Sequence, residues 1–209
     1  MRLLIQLLTI LFTWHLTCAS PLLASPYLTE LLDQAANTKL AEEREWQLLL
    51  HYRENLFGGY TSEADDPQFF LSQTGRTDPQ AELESTIRSL FSEEPVGSSK
   101  QPGQCAFVAR YHWLKERLSI DEKKLPVVRC ERFELWFSEM NAESVTLVFA
   151  SAFLDNPASM FGHTFLRIDQ KGQTDQTRLL AYTINYAADV PSSEGALYPI
   201  KGIFGGFKG

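Results

Sequence analysis

The sequence predicts an α+β fold in which N-terminal helices pack on an antiparallel sheet. In the first part of the chain, apolar residues recur at helical spacing, as they do in 27–36. Further along, the apolar residues come instead in short runs rich in valine, threonine and phenylalanine, which are typical of strands. We therefore divide the chain into a helical region at 26–120 and a β region at 121–209, the latter expected to be incomplete at its C-terminus.

The helical region is predicted to contain three helical segments separated by polar loops. The first covers 25–60, where a pair of glycines is expected to end it. The second begins at Asp78 and Pro79, which are typical residues for the cap and first position of a helix, and runs to about residue 91. The third is predicted for 105–118.

The β region contains four runs with strand character, at 127–130, 145–153, 164–169 and 179–187. The last three follow one another closely enough to pair in sequence. A turn at 171–173, centred on a glycine, is expected to connect the final two as a hairpin.

The N-terminus has the pattern of a secretory signal peptide. A positively charged start precedes an apolar run at 3–14, and small residues follow. His15 and Pro21 keep this run shorter than the roughly 20 residues that a membrane-spanning helix needs. We expect cleavage after Ala19, or as late as residue 25, and a mature protein that works outside the cytoplasm.

Charge and histidine spacing exclude several classes of function. The formal net charge is −7, and nucleic-acid binding requires a basic surface instead. His51 and His112 are predicted to lie on helices, without partners at metal-ligand spacing. We therefore expect no nucleic-acid partner, no metal and no cofactor.

Two cysteines remain after removal of the signal peptide, Cys105 and Cys130. An even number of cysteines in an exported chain favours a disulfide between them. The alternative is a reactive thiol at Cys105, because this residue begins a predicted helix whose dipole would lower the pKa of the thiol.

The candidate for acid–base chemistry is His163, which follows Gly162 at the start of a predicted strand. An imidazole at the rim of a sheet is accessible to substrate and is the usual general base near neutral pH. The predicted hairpin brings Asn185 beside it, where an amide can hold the ring in one tautomer, with Tyr182 as second choice. The alternative is a structural histidine beside a buried amide. The polar residues that follow on the same strand are predicted to form a solvated face: Arg167, Asp169 and Lys171.

Several segments, in order along the chain, resemble the periplasmic N-terminal domain of the Lnb family of bacterial lipoprotein N-acyltransferases. The most specific is the run Pro-Ala-Ser-Met-Phe-Gly-His-Thr-Phe-Leu-Arg at 157–167. The others are the segments 65–71, 77–83, 104–111, 180–188 and 201–206, together with Cys130. One local departure is Val108, where the family pattern leads us to expect proline.

The resemblance implies a papain-like fold in circularly permuted order, with His163 as the base and a nucleophilic cysteine later in the chain. The implied reaction is acyl transfer through a thioester, from a membrane phospholipid to the free α-amine of a lipoprotein cysteine. No such cysteine motif follows His163, and the glycine-rich run at 195–209 looks cut off. We therefore expect a fragment that lacks the nucleophile and is inactive alone.

The expected partners follow from the same resemblance. They are lipoprotein and phospholipid substrates at the periplasmic surface of the inner membrane, with which the full-length protein would be associated. Two other functions remain open: a papain-like peptidase or amidase that acts on cell-wall peptides, and a non-catalytic periplasmic binding domain.

Overall fold

The computed structural model describes residues 25–150 and 163–185 of the chain. The predicted signal peptide at 1–19 and the glycine-rich run at 195–209 lie outside the described residues, as do the ends of the strand runs predicted at 145–153 and 179–187. The described part combines helices with antiparallel sheets, which confirms the α+β class.

Within this part, six α-helices and five strands follow one another along the chain. The helices are α1 (Pro26–Asn37), α2 (Arg44–Leu49), α3 (Pro79–Ser89), α4 (Gly103–Ala106), α5 (Val108–Leu118) and α6 (Glu131–Met140). The strands are β1 (Tyr52–Glu54), β2 (Tyr60–Ser62), β3 (Ala142–Ala150), β4 (His163–Gln170) and β5 (Tyr182–Ile184). Short 3₁₀ helices occur at Leu40–Glu42, Pro67–Phe69, Glu122–Lys124 and Arg178–Leu180.

The predicted start of α3 is confirmed. The Asp78 carboxylate accepts a hydrogen bond of 3.0 Å from the backbone N–H of Ala81, and Pro79 occupies the first helical position. The helix predicted for 105–118 is instead two helices, α4 and α5, because the backbone leaves helical geometry at Phe107. Val108 is the first residue of α5, a position that favours proline.

The prediction of helix through 25–60 is wrong after α2. His51 adopts a left-handed conformation with φ of 55°, and β1 and β2 then form a hairpin in which Tyr52 pairs with Ser62. The two glycines lie in the turn of this hairpin, with φ of 87° at Gly58 and 80° at Gly59, values that glycine adopts without strain. His51 therefore does not lie on a helix, whereas His112 lies on α5 as predicted.

The strand predicted at 127–130 is also wrong, since this segment has no strand pairing in the described structure. The helix α6 follows it and lies within the region predicted as β. Its apolar residues have the spacing of a helical face, which the sequence analysis missed: Phe133, Trp136, Phe137 and Met140. The helix ends at Asn141, which is left-handed with φ of 42°.

The larger sheet has the strand order β3-β4-β5, and both pairings are antiparallel. Val145 pairs with Ile168, which in turn pairs with Tyr182. The chain turns after β4 at Gly172, with φ of 73°, near the predicted position. Pairing resumes only at Tyr182, after the 3₁₀ helix at Arg178–Leu180, so the connection is longer than the hairpin that the sequence predicts.

The hydrophobic core lies in the first 100 or so described residues, at 26–125, which we call the helical body. Trp46 is fully buried, donates its indole N–H to the carbonyl of Pro79 at 3.1 Å, and stacks on Trp113. The residues of this core cluster lie between Leu28 and Leu125, so the described part of the sheet β3-β4-β5 adds none.

Candidate functional site

His163 is the first residue of β4 and pairs with Ala150 of β3. On the other side of β4, Leu166 pairs with Ile184 and Arg167 with Thr183. The recorded pairing ends at Ile184, and continuing the same register by one residue would set Asn185 opposite Phe165.

By this extension, positions 163 and 185 are diagonal neighbours and belong to the same face of the sheet, because faces alternate along a strand. Such diagonal neighbours are typically about 7–8 Å apart. The Asn185 side-chain amide donates to the hydroxyl of Thr183 at 3.3 Å. Tyr182 pairs with Ile168 and so belongs to the opposite face, which leaves Asn185 as the nearer of the two sequence candidates.

The face that includes position 163 also carries a fixed polar cluster. The Arg167 guanidinium donates to the Asp169 carboxylate at 2.7 Å, and the Thr146 hydroxyl donates to the same carboxylate. The hydrogen bond from Arg167, followed by that from Thr146, lowers the pKa of Asp169 below its ordinary value. Arg167 and Asp169 are only 21% and 17% exposed, so the prediction of a solvated face is wrong for both, whereas Lys171 is exposed.

The opposite face of the same sheet is apolar, and among the described residues most of its side chains are exposed. Its central residue Ile168 is 5% exposed, but most of its neighbours are far more exposed. These neighbours are Val145, Leu147, Phe149, Leu166, Tyr182 and Ile184, with exposed fractions from 39% to 69%.

A disulfide joins Cys105 in α4 to Cys130, the residue that precedes α6, with 5.2 Å between the Cα atoms. It links the helical body to the helix that leads into the sheet. The Gln104 side chain lies next to it and donates to the carbonyls of Leu90 at 2.9 Å and Pro126 at 3.2 Å. Cys105 therefore has no free thiol in this structure, which agrees with the disulfide that the sequence favours.

The helical body contains a buried ion pair that the sequence analysis missed. Atom Nη1 of Arg110 in α5 lies 2.8 Å from Oε1 of Glu82 in α3. The side chains of Glu82 and Arg110 are 0% and 4% exposed. Arg110 also donates to the carbonyl of Phe69 at 2.6 Å and is stacked between the rings of Phe69 and Phe107.

The environment of Glu82 explains how this charge is tolerated. Burial raises the pKa of the Glu82 carboxyl, while hydrogen bonds from the backbone N–H groups of Ser72 and Leu71 and the charge of Arg110 oppose that rise. The pair thereby fixes the loop that contains Leu71 and Ser72 against two helices. A usable signal was present in the sequence, since Arg110 is spaced by four from Leu114 and by eight from Leu118 on the apolar side of α5.

The described ranges, 25–150 and 163–185, contain neither a metal-ligand cluster nor a membrane-spanning helix. No group of three or more histidine, cysteine, aspartate or glutamate side chains there is arranged to hold a metal ion. None of the helices in those ranges has the length and apolarity needed to cross a membrane.

Similarity to known families divides the chain into two parts. Residues 132–209 match the Lnb N-terminal periplasmic domain. This match covers α6, the sheet, His163 and Asn185, and it supports a periplasmic location for an Lnb-like domain. Residues 38–117 of the helical body match a domain of unknown function (DUF7843). Neither a curated protein nor a solved structure matches the chain.

Proposed function

We propose that this chain is the periplasmic part of a lipoprotein N-acyltransferase-like cysteine enzyme, in which His163 is the general base and Asn185 positions it. The observation that supports this most directly is the register of the sheet. It sets His163 at the start of β4 and Asn185 just after β5, on one face and within one diagonal step. Both residues lie in the segment that matches the Lnb domain.

The first half of the proposed reaction forms a thioester. His163 takes the proton of a cysteine thiol, and the thiolate attacks the ester carbonyl carbon of a phospholipid. The ester C–O bond then breaks, and the lysophospholipid oxygen leaves with the proton that the imidazolium returns.

The second half transfers the acyl group to the lipoprotein. The free α-amine of its N-terminal cysteine attacks the thioester carbonyl, forming an amide bond and breaking the C–S bond. The proton lost by the amine passes through His163 to the departing thiolate, so thiol and base return to their starting states.

The nucleophile in this proposal is neither Cys105 nor Cys130, because these two residues are bonded to each other. We propose instead the later nucleophilic cysteine that the resemblance to the Lnb family implies. The Arg167–Asp169 pair on the same face is not assigned a chemical step, since the two charges neutralise each other at 2.7 Å.

The decisive variant is His163→Ala in the complete protein. Loss of a general base typically costs 10²- to 10⁴-fold in rate, so we expect acylation to fall by at least about 100-fold. The measurement is mass spectrometry of the N-terminal peptide of a lipoprotein substrate. Thr164→Ala is the matched control, since Thr164 is an exposed neighbour on the opposite face of the same strand.

Two outcomes would contradict the proposal. Unchanged acylation by folded His163→Ala protein would remove the base and favour a non-catalytic domain. Cleavage of cell-wall peptides that depends on His163, without acylation, would favour the peptidase or amidase instead.

Asn185→Ala is expected to alter the pH–rate profile more than substrate binding, as a positioning role requires.

A further inference from the structure

The tip of the β1–β2 hairpin carries two adjacent, fully exposed apolar side chains. Leu56 is 99% exposed and Phe57 is 102% exposed. Large apolar side chains are commonly exposed singly, but two neighbours at the end of a protruding turn form a concentrated apolar surface.

Two backbone hydrogen bonds close the turn at this tip. The N–H of Gly58 donates to the carbonyl of Asn55 at 3.0 Å, and the N–H of Asn55 donates to the carbonyl of Gly59 at 2.9 Å. An irregular loop that enters an apolar medium without such bonds would leave costly unpaired groups.

The base of the hairpin is firmly attached to the helical body. The Tyr52 ring is buried there, and its hydroxyl donates to the carbonyl of Gly75. Tyr60 on β2 packs edge-on against the Tyr52 ring. The strands that lead to the tip are therefore fixed to the helical body by Tyr52 and Tyr60.

Charged residues are kept away from the tip. The eight residues 55–62 carry no charge, although charged residues make up 22% of the chain. The nearest charges are at the stem, where Arg53 pairs with Glu63 at 2.7 Å and Glu54 leaves a net negative charge. The hairpin therefore has no net positive charge that would attract it to an anionic surface.

We propose that the hairpin inserts Leu56 and Phe57 into the surface of a phospholipid bilayer, and so holds the domain at the membrane. Binding at a membrane surface grows with the apolar area that is buried below the headgroups, so a tip of two large apolar side chains gives weak, reversible attachment. A specific protein partner would normally bury roughly 800 Å² on each side, which is well beyond two side chains. The inference rests on the proposed function, because a phospholipid acyl donor must be reached at the membrane.

The test is co-sedimentation of the exported full chain with phosphatidylcholine vesicles. We expect the double variant Leu56→Ser and Phe57→Ser to bind at least about tenfold more weakly than the unaltered chain. Binding should stay within about twofold between roughly 0.05 and 0.5 M salt, because it is apolar rather than electrostatic. In Phe57→Trp, added vesicles should shift the tryptophan emission to shorter wavelength.

A matched control is available in the 3₁₀ helix at Arg178–Leu180, where Leu179 and Leu180 are also adjacent and are 95% and 80% exposed, but directly follow the charged pair of Arg178 and Asp175. Their double serine variant should bind as the unaltered chain does. The inference would be overturned if the tip variant bound vesicles as strongly as the unaltered chain, or if the control variant lost as much binding as the tip variant. It would also be overturned if the unaltered chain did not bind vesicles. His163→Ala should bind vesicles normally, so failure of the hairpin and failure of the base are separately detectable.

Discussion

The helical body and the sheet β3-β4-β5 bury their apolar side chains to very different extents. Trp46, Leu83 and Leu114 in the helical body have no exposed surface, whereas Leu147 and Phe149 of the sheet are 69% and 65% exposed. The helical body also has a buried ion pair with its hydrogen bonds satisfied. The sheet has instead a half-buried polar cluster around Asp169 on the face that includes position 163.

The buried core lies in the helical body, whereas the candidate catalytic residues lie in the sheet or directly after β5. The helical body contains a contiguous core between three longer helices, so its residues support one another. The sheet provides the register that relates His163 to Asn185, but its apolar face contributes little burial within the described residues. Apolar surface that stays in contact with water gives no hydrophobic stabilisation. The disulfide between Cys105 and Cys130 connects the helical body to the helix that leads into the sheet.

The largest effect is expected from Arg110→Met in the helical body. It leaves the Glu82 carboxylate buried without its charged partner, a change that typically destabilises by about 3–5 kcal/mol. Urea unfolding followed by tryptophan fluorescence measures it. Arg117→Met is the matched control, because Arg117 is 42% exposed and its ion pairs should contribute no more than about 1 kcal/mol. Equal losses in both variants would contradict the assignment of the buried pair.

The next effect compares leucine truncation in the two regions. Leu83→Ala removes a fully buried side chain and should cost about 2–5 kcal/mol. Leu147→Ala removes one that is 69% exposed and should cost no more than about 0.5 kcal/mol. Unfolding midpoints of the two variants test the comparison directly. A large loss in Leu147→Ala would show that the apolar face of the sheet is covered in solution.

The sequence was most informative where a single physical signal decided the local structure. Asp78 and Pro79 predicted the start of α3, because their side chains act only on the first turn of the helix that they begin. The strands β3 and β4 followed from their runs of β-branched and aromatic residues. Cys105 and Cys130 were paired from their number and the expected compartment.

The failures came where tertiary contacts outweighed local preference. The hairpin β1–β2 was predicted as helix, and it depends on a left-handed backbone at His51 and on packing of Tyr52 in the core. The ion pair joins Glu82 to a residue 28 positions away, a distance at which periodicity says nothing about partners. For the candidate site, the position of His163 and its strand neighbour were predictable, but the Arg167–Asp169 cluster required the register of β3.

The smallest effect concerns the polar face of the sheet and depends on pH. Hydrogen bonds from Arg167 and Thr146 lower the pKa of Asp169 below the ordinary value of 3.8, so its folded state favours the carboxylate. A carboxyl whose pKa is lower in the folded protein than in the unfolded chain stabilises the fold at pH values above its unfolded pKa. That stabilisation is lost as the pH falls through the pKa of the folded state. Asp169→Asn should therefore destabilise modestly at neutral pH, and the difference from the unaltered chain should shrink towards about pH 3.

Urea unfolding of both proteins at the two pH values measures this difference. Asp175→Asn is the matched control, because Asp175 lies on the β4–β5 connection with its side chain 87% exposed and should show little effect. If Asp169→Asn lowers the free energy of unfolding by the same amount at both pH values, the effect comes from the changed packing of the side chain and not from its charge. A loss that disappears in acid would show that the sheet draws its stability from charged hydrogen bonds on the face of His163, whereas the helical body draws its own from buried apolar surface.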